Sequence, residues 1–226
     1  MKVLCTNGVK AVTSELIPAI ERTVGRAVDV DYASTNVLMD KIVGGETGDL
    51  AVLSAEAIDG LIASGVLQKG SRVDLAKSSI GVAIRRGMVA PDVSTVEALT
   101  AALLAAKSVL YSKTGISGVY MPQLLAKLGI ADQTAPKARN PSHGTVGEAL
   151  ARGEAEIAMQ QISELLPVAG IKVIAPLPAE VQLVTIFSAG IFSAAVEPRA
   201  ARMLVEQLTT NAARALYTEK GLEPAF

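Results

Sequence analysis

An α/β fold follows from the order and composition of the sequence. Short apolar runs alternate with helical patterns from end to end, the arrangement in which helices cover buried strands. Hydrophobic residues make up 50% of the chain and come largely from Ala, Val, Leu and Ile; aromatics are only 3% and Trp is absent. That composition suits buried strands and closely packed helices. The length of 226 residues is compatible with one large domain or two small lobes. A chain of this mass hides about 70% of its unfolded surface, so a sizeable core forms without staples.

The elements follow in order. Lys2–Cys5 reads as a strand, and Val12, Leu16, Ile20 and Val24 share one face of the next helix, which Pro18 should bend or interrupt. Val28–Tyr32 is a second strand, and Ser34, Thr35 and Asn36 are candidate N-caps for a helix running to Gly44-Gly45. Leu50–Leu53 is a buried strand, with Ser54 capping the helix of Ile58, Leu61 and Ile62. Ile80–Ile84 is another strand; Ser94-Thr95-Val96-Glu97 has the spacing of a capping box ahead of an Ala/Leu helix. Val109–Tyr111 is a strand that enters the small-residue loop Ser112–Gly118, before a helix with Leu124, Leu125 and Leu128. The turn-rich segment Asn140–Thr145 precedes a helix around Val146–Arg152. Ile157–Gln160, Ile171–Ala175 and Val181–Phe187 are strands, and a last helix covers about Glu197 to Leu216.

Composition excludes several function classes. With 21 basic and 22 acidic residues, no long basic run and few aromatics, nucleic-acid binding has no support. The single Cys5 excludes an internal disulfide framework, and with one histidine, His143, the usual His-rich metal sites are not expected. Cys5 lies on a buried strand with no base nearby in sequence and reads as inert core. No metal or cofactor is expected. No apolar stretch reaches ~18 residues, so no membrane span is expected. As written the chain shows no leader, so a cytoplasmic location is expected, and a periplasmic one if a leader was removed.

Three loops share one design, in which a strand ends, small polar residues follow and a helix begins: Thr6-Asn7-Gly8, Ser34-Thr35-Asn36 and Ser112–Gly118. Gly144-Thr145 is a fourth helix start of this kind. Unpaired N–H groups and the helix dipole favour an anion there, and ligands of open α/β sheets bind at the carboxyl ends of strands. Each loop taken alone is also what an ordinary helix cap looks like. Sharper motifs fail: Gly65 to Gly70 has the spacing of a phosphate loop, but Ser71 stands where Lys is required. Neither G-x-G-x-x-G at a helix start nor G-x-S-x-G occurs.

Thr6-Asn7-Gly8, Tyr32–Thr35, the run Gly48–Glu56, Ser117–Tyr120 and Tyr217–Leu222 together resemble the periplasmic molybdate-binding protein family of ABC importers, within the type 2 solute-binding proteins. The similarity covers nearly the whole chain. It implies a two-lobe periplasmic-binding-protein fold with a ligand cleft between the lobes, lobe one holding about 1–80 plus 190–226 and lobe two about 81–189. It also implies a tetrahedral oxyanion held by hydroxyls and backbone N–H groups. The family's first ligand serine falls on Gly8, so that hydroxyl is missing unless Thr6 or Asn7 supplies a donor. Its second serine falls on Thr35. Its N–H donors fall on Ser117 and near Gly144 or Thr145, and its tyrosine falls near Gln161, which carries an amide in place of the hydroxyl.

Lys113 is a further candidate partner for an anion, or a solvated lysine. Gln160-Gln161, at a strand end in an apolar context, are costly to bury unpaired and offer donors and acceptors to a carboxylate. His143 is either a hydrogen-bonding surface residue or a general acid/base at the ligand. The leading expectation is a solute-binding protein for a small anion, an oxyanion or small carboxylate, with an ABC transporter as partner if the chain is exported. The alternatives are a cytosolic isomerase that moves a proton on an unsaturated carboxylate, with His143 as acid/base, and a ligand-sensing module.

Overall fold

A computed structural model describes Met1–Phe226. In chain order the elements are β1 (Lys2–Thr6), α1 (Lys10–Val24), β2 (Asp29–Ala33), α2 (Thr35–Val43), β3 (Leu50–Ser54), α3 (Ala55–Ala63), β4 (Val73–Arg85), α4 (Val96–Ala105), β5 (Val109–Leu110) and α5 (Ile116–Lys127). There follow α6 (Ala131–Thr134), β6 (Ala138–Arg139), α7 (Val146–Ala151), β7 (Ile157–Gln161), α8 (Ile162–Leu165), β8 (Ile171–Pro176), β9 (Val184–Ile191), α9 (Pro198–Leu208), α10 (Asn211–Glu219) and β10 (Glu223–Pro224). No helix is long and apolar enough to cross a membrane. The chain divides into two compact units, Met1–Ser78 with Thr185–Phe226, and Ser79–Val184.

In the first unit β2, β1 and β3 run parallel with β1 in the middle, and β9 pairs antiparallel with β3, from Leu50 opposite Ile191 to Ser54 opposite Phe187. Strand alternation sends Leu4 to a core of Leu38, Ile42, Ala51, Leu53, Ile58, Leu61 and Phe192. Cys5 points the other way, toward Thr13 of α1. It is fully buried and its thiol is pushed up to about 12 by burial, which makes it inert.

In the second unit β4 pairs antiparallel with β7 on one edge and with β8 on the other, while β5 lies parallel to both β7 and β6. Ile157 and Met159 face α4 and α5 among Leu99, Leu103, Met121 and Leu124. Ala158 faces Val146, Ala149 and Leu150 of α7 and Leu165 of α8. This alternation assigns Gln161 to the first face of β7 and Gln160 to the second.

Several local expectations are corrected. Pro18 lies inside an unbroken α1, where the buried Ile17 and Ile20 hold both sides of it in the core. The cap of α4 is Thr95, which accepts from the Ala98 N–H at 3.1 Å, so the helix starts one residue later than the Ser94/Glu97 spacing suggests. The terminal helix is two helices, because the Thr210 hydroxyl caps a new start at 3.2 Å from the Ala213 N–H. The strand expected over Val181–Phe187 is shifted to Val184–Ile191, after a 3-10 turn at Ala179–Val181.

Candidate functional site

The carboxyl ends of β1 and β2 bring Thr6 beside Ala33 in register, so Thr35, two residues further on, stands next to Thr6. Both are buried, and the Thr35 hydroxyl donates to Thr6 Oγ1 at 3.2 Å. A hydroxyl has one proton to give, so this contact leaves the Thr6 proton for another acceptor. Ser34 occupies the N-cap of α2 but makes no cap hydrogen bond, and its Oγ is buried without a partner. The 3-10 turn that follows Thr6 also lacks a side-chain cap. A Cβ built on Gly8 would overlap the ring of Phe187, which is buried. The serine hydroxyl expected by resemblance is absent because an aromatic ring fills its space. Asn7 is half-buried beside it.

Tyr32 sits opposite Cys5 in register, and its hydroxyl is 2.9 Å from Thr13 Oγ1. Burial pushes the Tyr32 phenol up to about 12. The Lys10 ammonium lies 5.3 Å over its ring, a cation–π arrangement.

In the second unit the loop after β5 is closed by the Ser112 hydroxyl, which accepts from the N–H groups of Thr114 and Gly115 at 3.2 Å each. The helix α5 then starts after Gly115 with no side-chain cap. Ser117 is its second residue and is buried; Lys113 is exposed on the loop. Gly118 allows the close approach, since a Cβ there would overlap the Ser112 carbonyl.

The helix start at Gly144-Thr145 differs. Thr145 Oγ1 accepts from the Glu148 N–H at 3.3 Å, and Glu148 Oε2 accepts from the Thr145 N–H at 2.8 Å. This is a full capping box on a helix of 6 residues. The Thr145 N–H is thereby taken up by the chain's own carboxylate. The sequence carried that signal as Thr145-x-x-Glu148, read only as a helix start. His143 is exposed, with Nδ1 3.1 Å from Ser142 Oγ and its carbonyl accepting from Arg152 Nη2 at 2.8 Å. Glu154 ties the loop down and is itself held down to about 2 by the Ser142 N–H, the Ser142 hydroxyl and Arg152.

At the end of β7 both glutamines are buried. Gln161 is paired in register with Ile80 and Gln160 with Gly81. The Gln160 amide Nε2 donates to Glu164 Oε2 at 2.6 Å, while Gln160 Oε1 is buried without a partner. Glu164 is half-buried, and burial pushes its carboxyl up to about 7 against the opposing effect of the Gln160 hydrogen bond. Sequence reasoning missed Glu164. Its signal was a carboxylate placed just past a doubled glutamine in an otherwise apolar run.

The structure thus brings Thr6 and Thr35 together with Gly8 nearby on the chain, and puts Lys113, Ser117, Gln160 and Gln161 at the carboxyl ends of the adjacent β5 and β7. No three His, Cys, Asp or Glu side chains are grouped to hold a metal ion. Among helices of eight or more residues, α3, α4 and α10 are capped by their own Ser or Thr side chain. The starts of α1, α2 and α5 have no side-chain cap; α9 also has none but begins with Pro198 at its first position, which removes one N–H.

Comparison with known proteins follows the same lines. Residues 1–223 match the family model described as bacterial extracellular solute-binding protein. A Pseudomonas sp protein named aconitate isomerase is 34% identical over 230 aligned residues, covering 99% of this chain and 87% of that protein. Among solved structures, the Azotobacter vinelandii periplasmic molybdate-binding protein superposes with a TM-score of 0.81 at 18% identity, covering 98% of each chain. The sulfate-binding protein of Mycobacterium tuberculosis gives 0.78 at 15% identity, over 100% of this chain and 86% of that one. The match over residues 1–223 and the superpositions agree with the type 2 solute-binding fold, and the chain belongs to the bacterial extracellular solute-binding protein family.

Proposed function

We propose that the chain captures a small polycarboxylate anion through the polar groups at the carboxyl ends of its parallel strands. The observation that carries this reading is the contrast between helix starts. At α2 a buried Ser34 hydroxyl is left without a partner and caps nothing, and α5 has no side-chain cap, whereas α3, α4, α7 and α10 use their own Ser or Thr. N–H groups and hydroxyls kept free in this way suit an anionic ligand.

A carboxylate is favoured over a tetrahedral oxyanion for two reasons. Phe187 occupies the space of the hydroxyl expected at Gly8, and glutamine stands near the place of the family's tyrosine. Two lost donors to a charged ligand cost about 1.5–3 kcal/mol each, which is about a hundredfold or more in affinity. The name of the Pseudomonas relative, aconitate isomerase, points to a tricarboxylate. Calorimetric titration with aconitate, citrate, molybdate and sulfate tests the reading. The expected result is a carboxylate bound at least about a hundredfold tighter than molybdate, weakened by Thr35→Ala. Submicromolar molybdate binding, or no carboxylate binding, would overturn it.

A second reading, turnover of the captured anion by a proton shift, is favoured by the half-buried carboxyl of Glu164. Under the first reading the chain, if exported, hands its ligand to an ABC importer. Under the second it transforms the ligand where it is bound.

A further inference from the structure

The surroundings of Glu148, Glu154 and Glu164, all in the second unit, separate them. Glu148 accepts the Thr145 N–H and closes a capping box. Glu154 accepts from the Ser142 N–H, the Ser142 hydroxyl and Arg152, at 3.0, 2.8 and 2.8 Å. Both are satisfied as anions and have a structural task. Glu164 has neither a cation nor a backbone N–H: its contact is the single Gln160 amide at 2.6 Å. It does not cap the helix it belongs to.

Its neighbours do not neutralise it either. α8 packs on β7, β8 and α7. The charged residues of those elements are Lys172, which is exposed, and Glu148, which is engaged at Thr145. Gln160 is only 5% exposed, and its Oε1 is buried unpaired. A buried amide left half unsatisfied is costly. Its one hydrogen bond serves to fix one oxygen of Glu164 and leave the other oxygen uncommitted. The pair stands at the carboxyl end of β7, on the face that α7 and α8 cover. A desolvated carboxyl without a counter-ion in such a place is suited to proton transfer.

We infer that Glu164, held by the Gln160 amide, is the proton-transfer residue for a bound unsaturated tricarboxylate. The inference rests on the polycarboxylate reading above. The carboxylate of Glu164 takes a proton from the methylene carbon next to the double bond. The C–H electron pair becomes a new double bond to the central carbon. The former π pair takes the proton back from the Glu164 carboxylic acid at the far carbon. One C–H bond breaks and one forms, no oxidant or reductant is needed, and the shifted double bond is free to emerge as either geometric isomer. A carboxyl at about 7 exchanges between base and acid near neutral pH.

The test uses the full chain and cis- or trans-aconitate in D2O, followed by proton NMR and by calorimetry. The wild-type protein is expected to bind aconitate, to bring deuterium into its carbon positions and to interconvert the two isomers. Glu164→Gln should keep affinity within about threefold while exchange falls about a hundredfold to ten-thousandfold. Glu164→Asp, which keeps the carboxyl, should retain part of the exchange and a pH profile of the same form. Absence of aconitate binding by the wild type overturns the polycarboxylate reading and this inference with it. Binding without exchange overturns the inference alone. Wild-type exchange in a folded Glu164→Gln variant, or exchange that disappears in His143→Ala and not in Glu164→Gln, overturns the assignment to Glu164.

Discussion

At the carboxyl end of the first unit's strands Thr35 donates to Thr6 and Phe187 lies over Gly8, whereas at the end of β7 a buried amide grips a half-buried carboxyl. The backbone plan is alike in both regions, since β1, β2 and β7 each run into a helical turn whose start lacks a side-chain cap. The side chains make the difference. In the first region the titratable neighbours, Cys5 and Tyr32, are both pushed up to about 12 by burial, so they keep their protons at neutral pH. The second contains Glu164 at about 7, so a proton can be taken and returned there.

Three substitutions sharpen or break this comparison. The largest effect is expected at Gly118→Ala, because the new Cβ meets the Ser112 backbone carbonyl, which cannot move without unseating α5. Overpacking of this kind costs about 3 kcal/mol or more, read as a fall in the denaturant midpoint. A variant within about 0.5 kcal/mol of the wild type would show that the loop after β5 does not depend on this close approach.

Next comes Gly8→Ser, which restores the hydroxyl but collides with the Phe187 ring. The expected loss is about 1–3 kcal/mol. Combined with Phe187→Ala, the two costs should add to less than their sum, with a coupling of about 1 kcal/mol or more. Strict additivity would mean that the ring does not hold the place of the missing hydroxyl.

The smallest effect is on pH dependence. The folded carboxyl of Glu164 is raised to about 7, above its ordinary value near ~4.3 in the unfolded chain. Between those values the folded state keeps a proton that the unfolded state has released. Stability from this group is thus complete below ~4.3 and is lost as pH rises toward neutrality. Glu164→Gln removes that loss, so the variant should match the wild type at pH ~4 and exceed it at pH ~8 by about 1–2 kcal/mol. Parallel unfolding curves for the two proteins at both pH values would contradict the raised carboxyl.

Much of the architecture was legible in the sequence. The strands around Leu4, Val30, Val52 and Ile157 and the caps at Ser54 and Thr145 carry local signals, since apolar runs and hydroxyls before helices act within a few residues of themselves. The glutamines at 160 and 161 stand out for the same reason, as two amides too polar for their neighbours. Pro18 misled because one lost backbone bond was outweighed by Ile17 and Ile20 in the core. At Gly144-Thr145 a free helix start and a self-capped one differ only in what Glu148 does.

The sequence by itself determined the α/β class, the full-length resemblance and the positions where small polar residues follow strands, because periodicity and capping are properties of neighbours along the chain. Only the tertiary structure decided which of those starts stay uncapped, what fills the space beside Gly8 and which carboxylate is desolvated without a counter-ion. Each of these depends on partners remote in sequence or on burial: Phe187 against Gly8, Thr6 against Thr35, and the desolvation of Glu164 at the end of β7. Volume and dielectric are set by packing, and no local pattern encodes them.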